Sequence, residues 1–109
     1  MNIEPSKREW LCIIPDKPDR LAKRLEIRQT HLANLKPLLE AKKLAFGGPM
    51  FHDAHPVAGQ APQFKGSTMI FRAATEAEVR ETLRNDIYAT SDVWDLENTQ
   101  IIPVLNVIS

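Results

Sequence analysis

The sequence predicts an α+β fold in which strands and helices follow the order βαββαβ. Three observations predict it. Apolar runs near the two ends of the chain, Trp10–Ile14 and Gln100–Ile108, are typical of buried strands. Leucines at helical spacing between residues 21 and 39 predict an amphipathic helix, and the capping box Thr75–Glu78 opens a second one. With two further strand-like segments between the helices, this is the order of a ferredoxin-like domain: a four-stranded antiparallel sheet with two helices on one face.

The first strand and the long helix occupy the N-terminal third of the chain. The strand, Trp10–Ile14, is closed by a proline, and either Asp16 or Asp19 is expected to cap the helix that follows. Pro37 removes one backbone hydrogen bond, so the helix is expected to break near Leu35. The helix is predicted to pack through one apolar stripe, formed by Leu21, Leu25, Leu32, Leu35 and Leu39.

The middle of the chain predicts two strands joined by a long connection. The second strand, Leu44–Phe51, contains two glycines and a proline, a pattern that indicates a bulge or a close approach of another backbone. Residues 52–65 contain two prolines and no periodicity, and such a connection in a compact domain is expected to be functional or mobile. The third strand is predicted over Ser67–Ala73, and the second helix ends near Arg84.

Length and charge limit the function classes. The 109 residues are expected to form one domain, with its core at about residues 9–108. Fourteen basic and fourteen acidic residues give zero net charge, so no nucleic-acid partner is expected. No apolar run approaches the ~20 residues that span a bilayer, and the polar start is not a signal peptide, so a cytoplasmic protein without a membrane partner is predicted. The single cysteine, Cys12, excludes an internal disulfide and is expected to be buried.

The segment His52-Asp53-Ala54-His55 raises the question of a metal site. A His-x-x-His pair with a carboxylate can bind zinc, but zinc sites need three or four placed ligands. No further ligand cluster accompanies this pair, so surface histidines are the preferred interpretation and no metal is predicted. The chain also lacks a glycine-rich phosphate loop and a dinucleotide fingerprint, so no nucleotide cofactor is expected.

A second histidine, His31, lies one helical turn after Arg28 at the edge of the leucine stripe. A partly buried histidine beside a fixed cation is a candidate for proton transfer, because perturbed groups cluster at functional sites. The alternative interpretation is a histidine that is hydrogen-bonded at the rim of the core.

The predicted sheet has one face without helices. The last strand carries apolar residues toward both faces, with Ile102, Val104 and Ile108 on one side and Ile101, Leu105 and Val107 on the other. An apolar face left bare in a chain of this size predicts a homodimer formed through the two sheets.

Four segments in order resemble the YciI-like (YCII-related) family, and the resemblance runs from about Trp10 to Val107. The segments are Leu25–Leu32, Gly48–Met50, Phe64–Thr68 and Asp86–Tyr88. The resemblance implies a dimeric α/β barrel, in which two ferredoxin-like sheets pack face to face. It also implies an active site made by a histidine and an aspartate, here His31 and Asp86. Members of this family are small proteins without cofactors, and their characterised chemistry is of a lyase type.

This chain departs from the family pattern at three positions. Ile87 stands where a proline usually follows the aspartate, and Asp92 stands where a glycine commonly precedes Val93. Lys43 replaces a frequent glycine at the end of the long helix. The first two departures lie in the segment that presents Asp86.

The chemistry of the pair follows from its residue types. An imidazole can accept and donate a proton near neutral pH. An aspartate bonded to one ring nitrogen fixes the tautomer and leaves the other nitrogen free to act as a base. Asp86 follows the second helix, which packs beside the first in a βαββαβ fold, so contact with His31 is expected.

Arg28, Gly48, Ser67, Tyr88 and Trp94 are the predicted substrate-binding residues. Arg28 can hold an anionic group by bidentate hydrogen bonds. Gly48, together with its neighbouring glycine, allows a ligand to approach the backbone or simply packs closely. Trp94 either covers the pocket near the aspartate or lies at the dimer interface.

Arg28 and Ser67 also have structural alternatives. Arg28 is equally expected in a salt bridge with Glu26 or Asp86. Ser67 lacks the strained turn of an activated nucleophile, and a hydrogen bond to the backbone is the preferred interpretation of its hydroxyl.

The resulting functional hypothesis is an enzyme without a cofactor. It would act on a small organic molecule by proton abstraction, as a lyase or isomerase, with His31 as base and Asp86 as orienting group. The alternatives are a non-catalytic protein that binds a small molecule, and a cofactor-independent monooxygenase, since the wider superfamily includes such enzymes.

Overall fold

A four-stranded antiparallel sheet organises the computed structural model, which describes residues 1–108. Its strands are β1 (Glu9–Pro15), β2 (Leu44–Phe51), β3 (Phe64–Arg72) and β4 (Gln100–Val104), arranged in the order β2-β3-β1-β4. The α-helices are α1 (Leu21–Glu40), α2 (Glu76–Arg84) and the four-residue α3 (Ile87–Thr90). The predicted α+β fold and its element order are confirmed, and α3 is an addition.

The core lies between the helices and one face of the sheet. Cys12 on β1 pairs with Met69 on β3 and with Ile101 on β4, so these side chains share a face. They pack against Val79 and Leu83 of α2, which the capping box begins as predicted: Thr75 accepts a hydrogen bond from the Glu78 amide. Within residues 1–108, the opposite face of the sheet carries no helix.

The long helix differs from its prediction in the face that it buries. Arg24 and His31 are its buried residues, whereas Leu25, Leu32 and Leu39 of the predicted stripe are 44%, 45% and 60% exposed. Polar side chains occupy the central positions because they have partners in the core, described below. The predicted stripe is therefore right at Leu35, which packs against the core, and wrong at these three exposed leucines.

The ends of α1 also differ from prediction. Neither Asp16 nor Asp19 caps the helix, because its first residue follows Arg20, which makes no side-chain capping bond. The helix does not break near Leu35 but continues through Pro37 to Glu40. The amide that Pro37 lacks would bond the carbonyl of Ala33, and both residues are exposed, so water can satisfy that carbonyl.

Strand boundaries follow the available pairing partners. β3 begins at Phe64 rather than Ser67, and the connection is therefore shorter than predicted. β4 ends at Val104 rather than Ile108, because Val104 pairs with Glu9, the first residue of β1, and no partner strand continues beyond it. Apolar residues alone do not extend a strand whose neighbour has ended.

Glycine is required at Gly66 rather than in the Gly-Gly-Pro segment. A Cβ atom at Gly66 would lie 2.2 Å from the carbonyl oxygen of Ile14. At Gly47 it would meet side chains only at 3.7 Å, and at Gly48 it would meet nothing within 4 Å. The bulges of β2 lie between Leu44 and Phe46 and next to Phe51, so the close approach predicted for the glycine pair is not found there.

A left-handed residue stands at one departure from the family pattern, Asp92, and next to another, Lys43. Asp92 has φ +63°, a conformation that favours glycine, and Lys42 has φ +59° at the end of α1. The left-handed position at this helix end is thus Lys42, not Lys43. At Asp92 the carboxylate binds the side chains of Lys17 and Arg20, and these hydrogen bonds, first that of Lys17, lower its pKa.

In the part of the chain that the structure describes, no helix is long and apolar enough to cross a membrane.

Candidate functional site

His31 and Asp86 meet between α1 and α3. The Nδ1 atom of His31 lies 2.8 Å from Oδ1 of Asp86, within the distance expected for the pair. Their side chains are 8% and 10% exposed, so the contact is shielded from water. The sequence predicts this juxtaposition, and the geometry brings the two residues together.

The aspartate is held in place by the start of α3. Asp86 is the N-cap residue of that helix, and its Oδ1 also accepts a hydrogen bond from the Tyr88 amide at 2.8 Å. An N-cap aspartate fixes its own rotamer because the amides of the first turn need an acceptor. The same carboxylate oxygen therefore caps the N-terminus of α3 and orients the ring of His31.

This arrangement fixes the tautomer of His31. An ionised carboxylate only accepts hydrogen bonds, so Nδ1 must carry the proton in this contact. The other ring nitrogen, Nε2, then has a free lone pair when the imidazole is neutral, and no residue within 1–108 forms a hydrogen bond with it. The ring can accept a proton at Nε2 while Asp86 stabilises the resulting imidazolium.

Two aromatic rings hold the imidazole. Tyr88 stacks on His31 with ring centroids 3.9 Å apart and an interplanar angle of 19°. Trp94 meets the imidazole edge-on at 5.8 Å. Such contacts restrict the rotation of the histidine ring, and they fix the direction of Nε2.

An ion pair lies behind these rings. Arg24, which is 2% exposed, donates to Asp16 through Nε at 2.7 Å and through Nη2 at 3.1 Å. Nη2 also donates to Ser67 Oγ at 2.6 Å, and the guanidinium carbon lies 4.5 Å from the centroid of the Tyr88 ring. The sequence analysis missed Arg24. Its position seven residues before His31, two helical turns away on the same face, is the signal that indicates it.

A cleft of about 150 Å³ opens beside this network between α1 and strands β2 and β3. Its polar lining residues are Arg24, Arg28, His31, Ser67 and Tyr88; the rest of the lining is Leu32, Leu35, Gly47, Gly48, Pro49 and Met69. Of the predicted site residues, Asp86 and Trp94 lie behind the lining and support it. A larger groove of about 630 Å³, near the N-terminal residues and Trp10, contains none of them.

Arg28 is exposed at the cleft and forms neither of its predicted salt bridges. Glu26 pairs with Lys23, and Asp86 pairs with His31. The guanidinium of Arg28 lies 5.7 Å from the centroid of the Phe64 ring and has no carboxylate partner among the residues described.

Ser67 and Trp94 bond to each other rather than to the backbone. Trp94 Nε1 donates to Ser67 Oγ at 3.1 Å, so the predicted backbone hydrogen bond of the serine is not the one formed. Trp94 is 2% exposed in the core, in contact with the rings of the site.

Tyr88 is buried, and its environment keeps the phenol protonated. Burial raises the pKa of Tyr88, and the positive charges of Arg24 and Arg28 offset part of this effect. Its Oη atom is buried and has no hydrogen-bond partner in residues 1–108. A neutral phenol can donate one hydrogen bond to a ligand.

The loop histidines do not form a ligand cluster. His55 contacts the ring of Phe51 at 5.7 Å. Across the described residues, no group of three or more His, Cys, Asp or Glu side chains is placed to hold a metal ion.

The chain is similar in sequence to proteins named for biosynthesis. The chain is 37% identical over 97 residues to aspercryptin biosynthesis cluster protein B of Emericella nidulans, covering 88% of this chain and 62% of that protein, less than two thirds of its length. It is 38% identical over 97 residues to fusaric acid biosynthesis protein 2 of Gibberella fujikuroi, covering 88% and 91%.

A solved structure shares the fold. It is 5-chloro-2-hydroxyhydroquinone dehydrochlorinase from Burkholderia phenoliruptrix, in complex with 2,5-dihydroxybenzoquinone. The TM-score is 0.75 at 24% identity, over 90% of this chain and 94% of that one. Residues 9–104 match the model of the YCII-related domain. The chain therefore belongs to the YCII-related domain family.

Proposed function

We propose that this protein is an enzyme that removes a proton from a small organic molecule bound in the cleft beside His31. His31 acts as the general base, and Asp86 orients and stabilises it. The reaction is of a lyase or isomerase type and uses no cofactor. Relatives named for the biosynthesis of aspercryptin and fusaric acid, and a structural neighbour named as a dehydrochlorinase, support an enzyme that acts on small molecules.

One observation carries the proposal. The 2.8 Å contact between His31 Nδ1 and Asp86 leaves Nε2 as a free acceptor on a residue that lines the cleft. A buried histidine that served only the core would be expected to use both of its nitrogens or to lie away from a cavity.

The electrons balance without a redox partner. In an elimination, Nε2 takes a proton from an acidic O–H or C–H group, and the electron pair left behind forms a new π bond. The leaving group then departs with the electron pair of its own bond. In an isomerisation, the same imidazolium returns the proton to a different atom of the substrate.

The remaining lining residues support binding. Arg28 offers a cation that no carboxylate neutralises among the described residues, and Gly48 lines the cleft with backbone atoms only. The compound bound by the structural neighbour, 2,5-dihydroxybenzoquinone, is a suitable surrogate ligand for this chain because it is flat and acidic.

Substitution of His31 tests the function. The purified protein is incubated with a cell metabolite extract, and consumed and formed compounds are measured by untargeted mass spectrometry. His31→Gln is expected to lower turnover by about 10²–10⁴-fold, because general bases contribute factors of this size. Asp86→Asn is expected to lower it as well, by favouring the wrong tautomer.

His52→Ala is the matched control, because that histidine lies outside the cleft, and it is expected to act like the wild type. Equal conversion by the wild type and His31→Gln would contradict the proposal. A metabolite that is bound but never converted would favour the non-catalytic binding protein instead.

A further inference from the structure

We propose that the hydroxyl groups of Ser67 and Tyr88 donate hydrogen bonds to a negatively charged oxygen of the ligand. The cleft then selects the conjugate base of an acidic phenol or enol over a neutral compound of the same shape. This inference rests on the proposed function for the location of the ligand, but it makes a separate statement about which chemical form is bound.

The donor role of Ser67 follows from its two neighbours. Its Oγ lies 2.6 Å from Arg24 Nη2 and 3.1 Å from Trp94 Nε1. A guanidinium and an indole N–H can only donate, so both lone pairs of the serine oxygen are occupied. The hydroxyl proton must point in the remaining direction, and no acceptor for it is found in residues 1–108. Ser67 lines the cleft as a pre-oriented donor.

Tyr88 supplies a second donor. Its ring is fixed by stacking on His31, and its buried Oη has no partner in the part of the chain described. An unsatisfied buried hydroxyl costs folding free energy, and native structures rarely retain one without a reason. A ligand in the cleft that Tyr88 lines would provide the missing acceptor.

The charge around the cleft favours an anion. The cation of Arg24 is matched by Asp16, and the carboxylate of Asp86 is turned toward His31. Arg28 adds a positive charge that no carboxylate neutralises among the described residues. Donors and an unmatched cation stabilise an oxyanion and disfavour a cationic ligand.

The donors also fit the proposed proton transfer. When Nε2 of His31 removes a proton, the electron pair that remains makes an oxygen of the substrate more negative. Hydrogen-bond donors that are already oriented stabilise this charge without reorganisation. Tyr88 touches His31 directly, and Ser67 is joined to it through Trp94, so the base and the donors belong to one network.

Calorimetric titration of the full chain tests the inference with two probes at pH 7. The first is 2,5-dihydroxybenzoquinone, whose enol groups are ionised, and the second is hydroquinone, which is neutral. We expect the wild type to bind the ionised probe at least about tenfold more tightly than hydroquinone. Tyr88→Phe and Ser67→Ala are each expected to weaken binding of the ionised probe by about tenfold, the effect of one lost charged hydrogen bond.

Stability measurements separate this role from a structural one. Tyr88→Phe should melt at the wild-type temperature or above, because the hydroxyl has no partner to lose in the free protein. Ser67→Ala leaves an N–H of Arg24 and the indole N–H of Trp94 unpaired in the core, so this variant is expected to lose stability. If Ser67→Ala fails to fold, binding by Tyr88→Phe alone tests the inference. Ser6→Ala, which removes a hydroxyl in the N-terminal segment, is the control and should bind as the wild type does.

Three outcomes would overturn the inference: no binding of the ionised probe, equal binding of both probes, or unchanged binding by Tyr88→Phe. The proposed function fails separately. His31→Gln is expected to bind the ionised probe but to lose turnover. Turnover that survives in His31→Gln, together with probe binding that depends on Tyr88, would remove the catalytic role of the histidine and leave this inference intact.

Discussion

At the scale of single residues, burial separates two arginines that lie one helical turn apart. Arg24 is removed from water together with Asp16, and their geometry is bidentate. Such a pair is costly to break, because either partner alone would be an uncompensated buried charge. Arg28 remains exposed and unpaired in the described residues, so it is the arginine that can bind and release an anionic ligand.

The thiol of Cys12 is expected to be inert in the folded protein. The residue is fully buried, and burial raises its pKa to about 12, with a smaller opposing effect of Arg80. At pH 8 only about one thiol in ten thousand would be the reactive thiolate. A thiol reagent such as dithionitrobenzoate should therefore label the protein only after guanidinium chloride unfolds it. Rapid labelling of the native protein would contradict this prediction.

The candidate site could be predicted only in part from the sequence. His31 and Asp86 were identified through the family resemblance, and the physical chemistry of the pair explains their contact. Arg24 was missed because Asp16, its partner, has the sequence context of a helix cap. Whether Asp16 caps the helix or pairs with a buried arginine depends on how the turn before α1 packs against the core. That packing is set by contacts between residues far apart in the sequence.

At the scale of elements, the sequence predicted a helix or strand boundary correctly where neighbouring residues determine it. The bounds of β2 were predicted correctly, and so was the start of α2, which the capping box marks. The ends of β3 and β4 were wrong. Strand length depends on the partner strand, as the pairing of Val104 with the first residue of β1 shows.

The C-terminus of α1 carries a lysine in a position suited to glycine. The Lys42 amide donates to Leu39 and the Lys43 amide to Leu38, which is the bonding pattern of a Schellman motif. Its left-handed residue, Lys42, has φ +59°. Replacing Lys42 with glycine is therefore expected to stabilise the fold by about 1 kcal/mol.

Equilibrium unfolding in urea measures this effect. Lys43→Gly is the matched control, since Lys43 does not have a positive φ, and it is expected to leave stability unchanged or to lower it. If Lys43→Gly raised the free energy of unfolding and Lys42→Gly lowered it, the left-handed residue would be Lys43, and the prediction would be wrong.

At the scale of the whole molecule, the uncovered sheet face carries an apolar row that crosses all four strands. Phe46 pairs with Ile70, Ile70 with Leu11, and Leu11 with Ile102. Phe46 is 52% exposed and Ile102 is 38% exposed. A continuous apolar row across a sheet is expected to be covered in solution.

We expect a second copy of the chain to cover this row. Light scattering at micromolar concentration should give twice the 12.3 kDa mass of one chain, and the interface should bury on the order of 1,200–2,000 Å². Ile70→Lys would place a charge in the centre of the row and is expected to yield monomers. Val57→Lys, at an exposed apolar residue of the loop, is the control and should remain dimeric.

A dimer formed through the sheets would leave the proposed site open, because the cleft lies on the other face of the sheet. Ser67 and Thr68 are consecutive residues of β3, so their side chains point to opposite faces of the sheet. An interface on the Thr68 face leaves the cleft that Ser67 lines on the outside of each chain. Ile70→Lys should therefore abolish the dimer while each chain keeps its own His31, Asp86 and donors. A wild-type chain that stays folded and monomeric at these concentrations would contradict the sheet-to-sheet dimer.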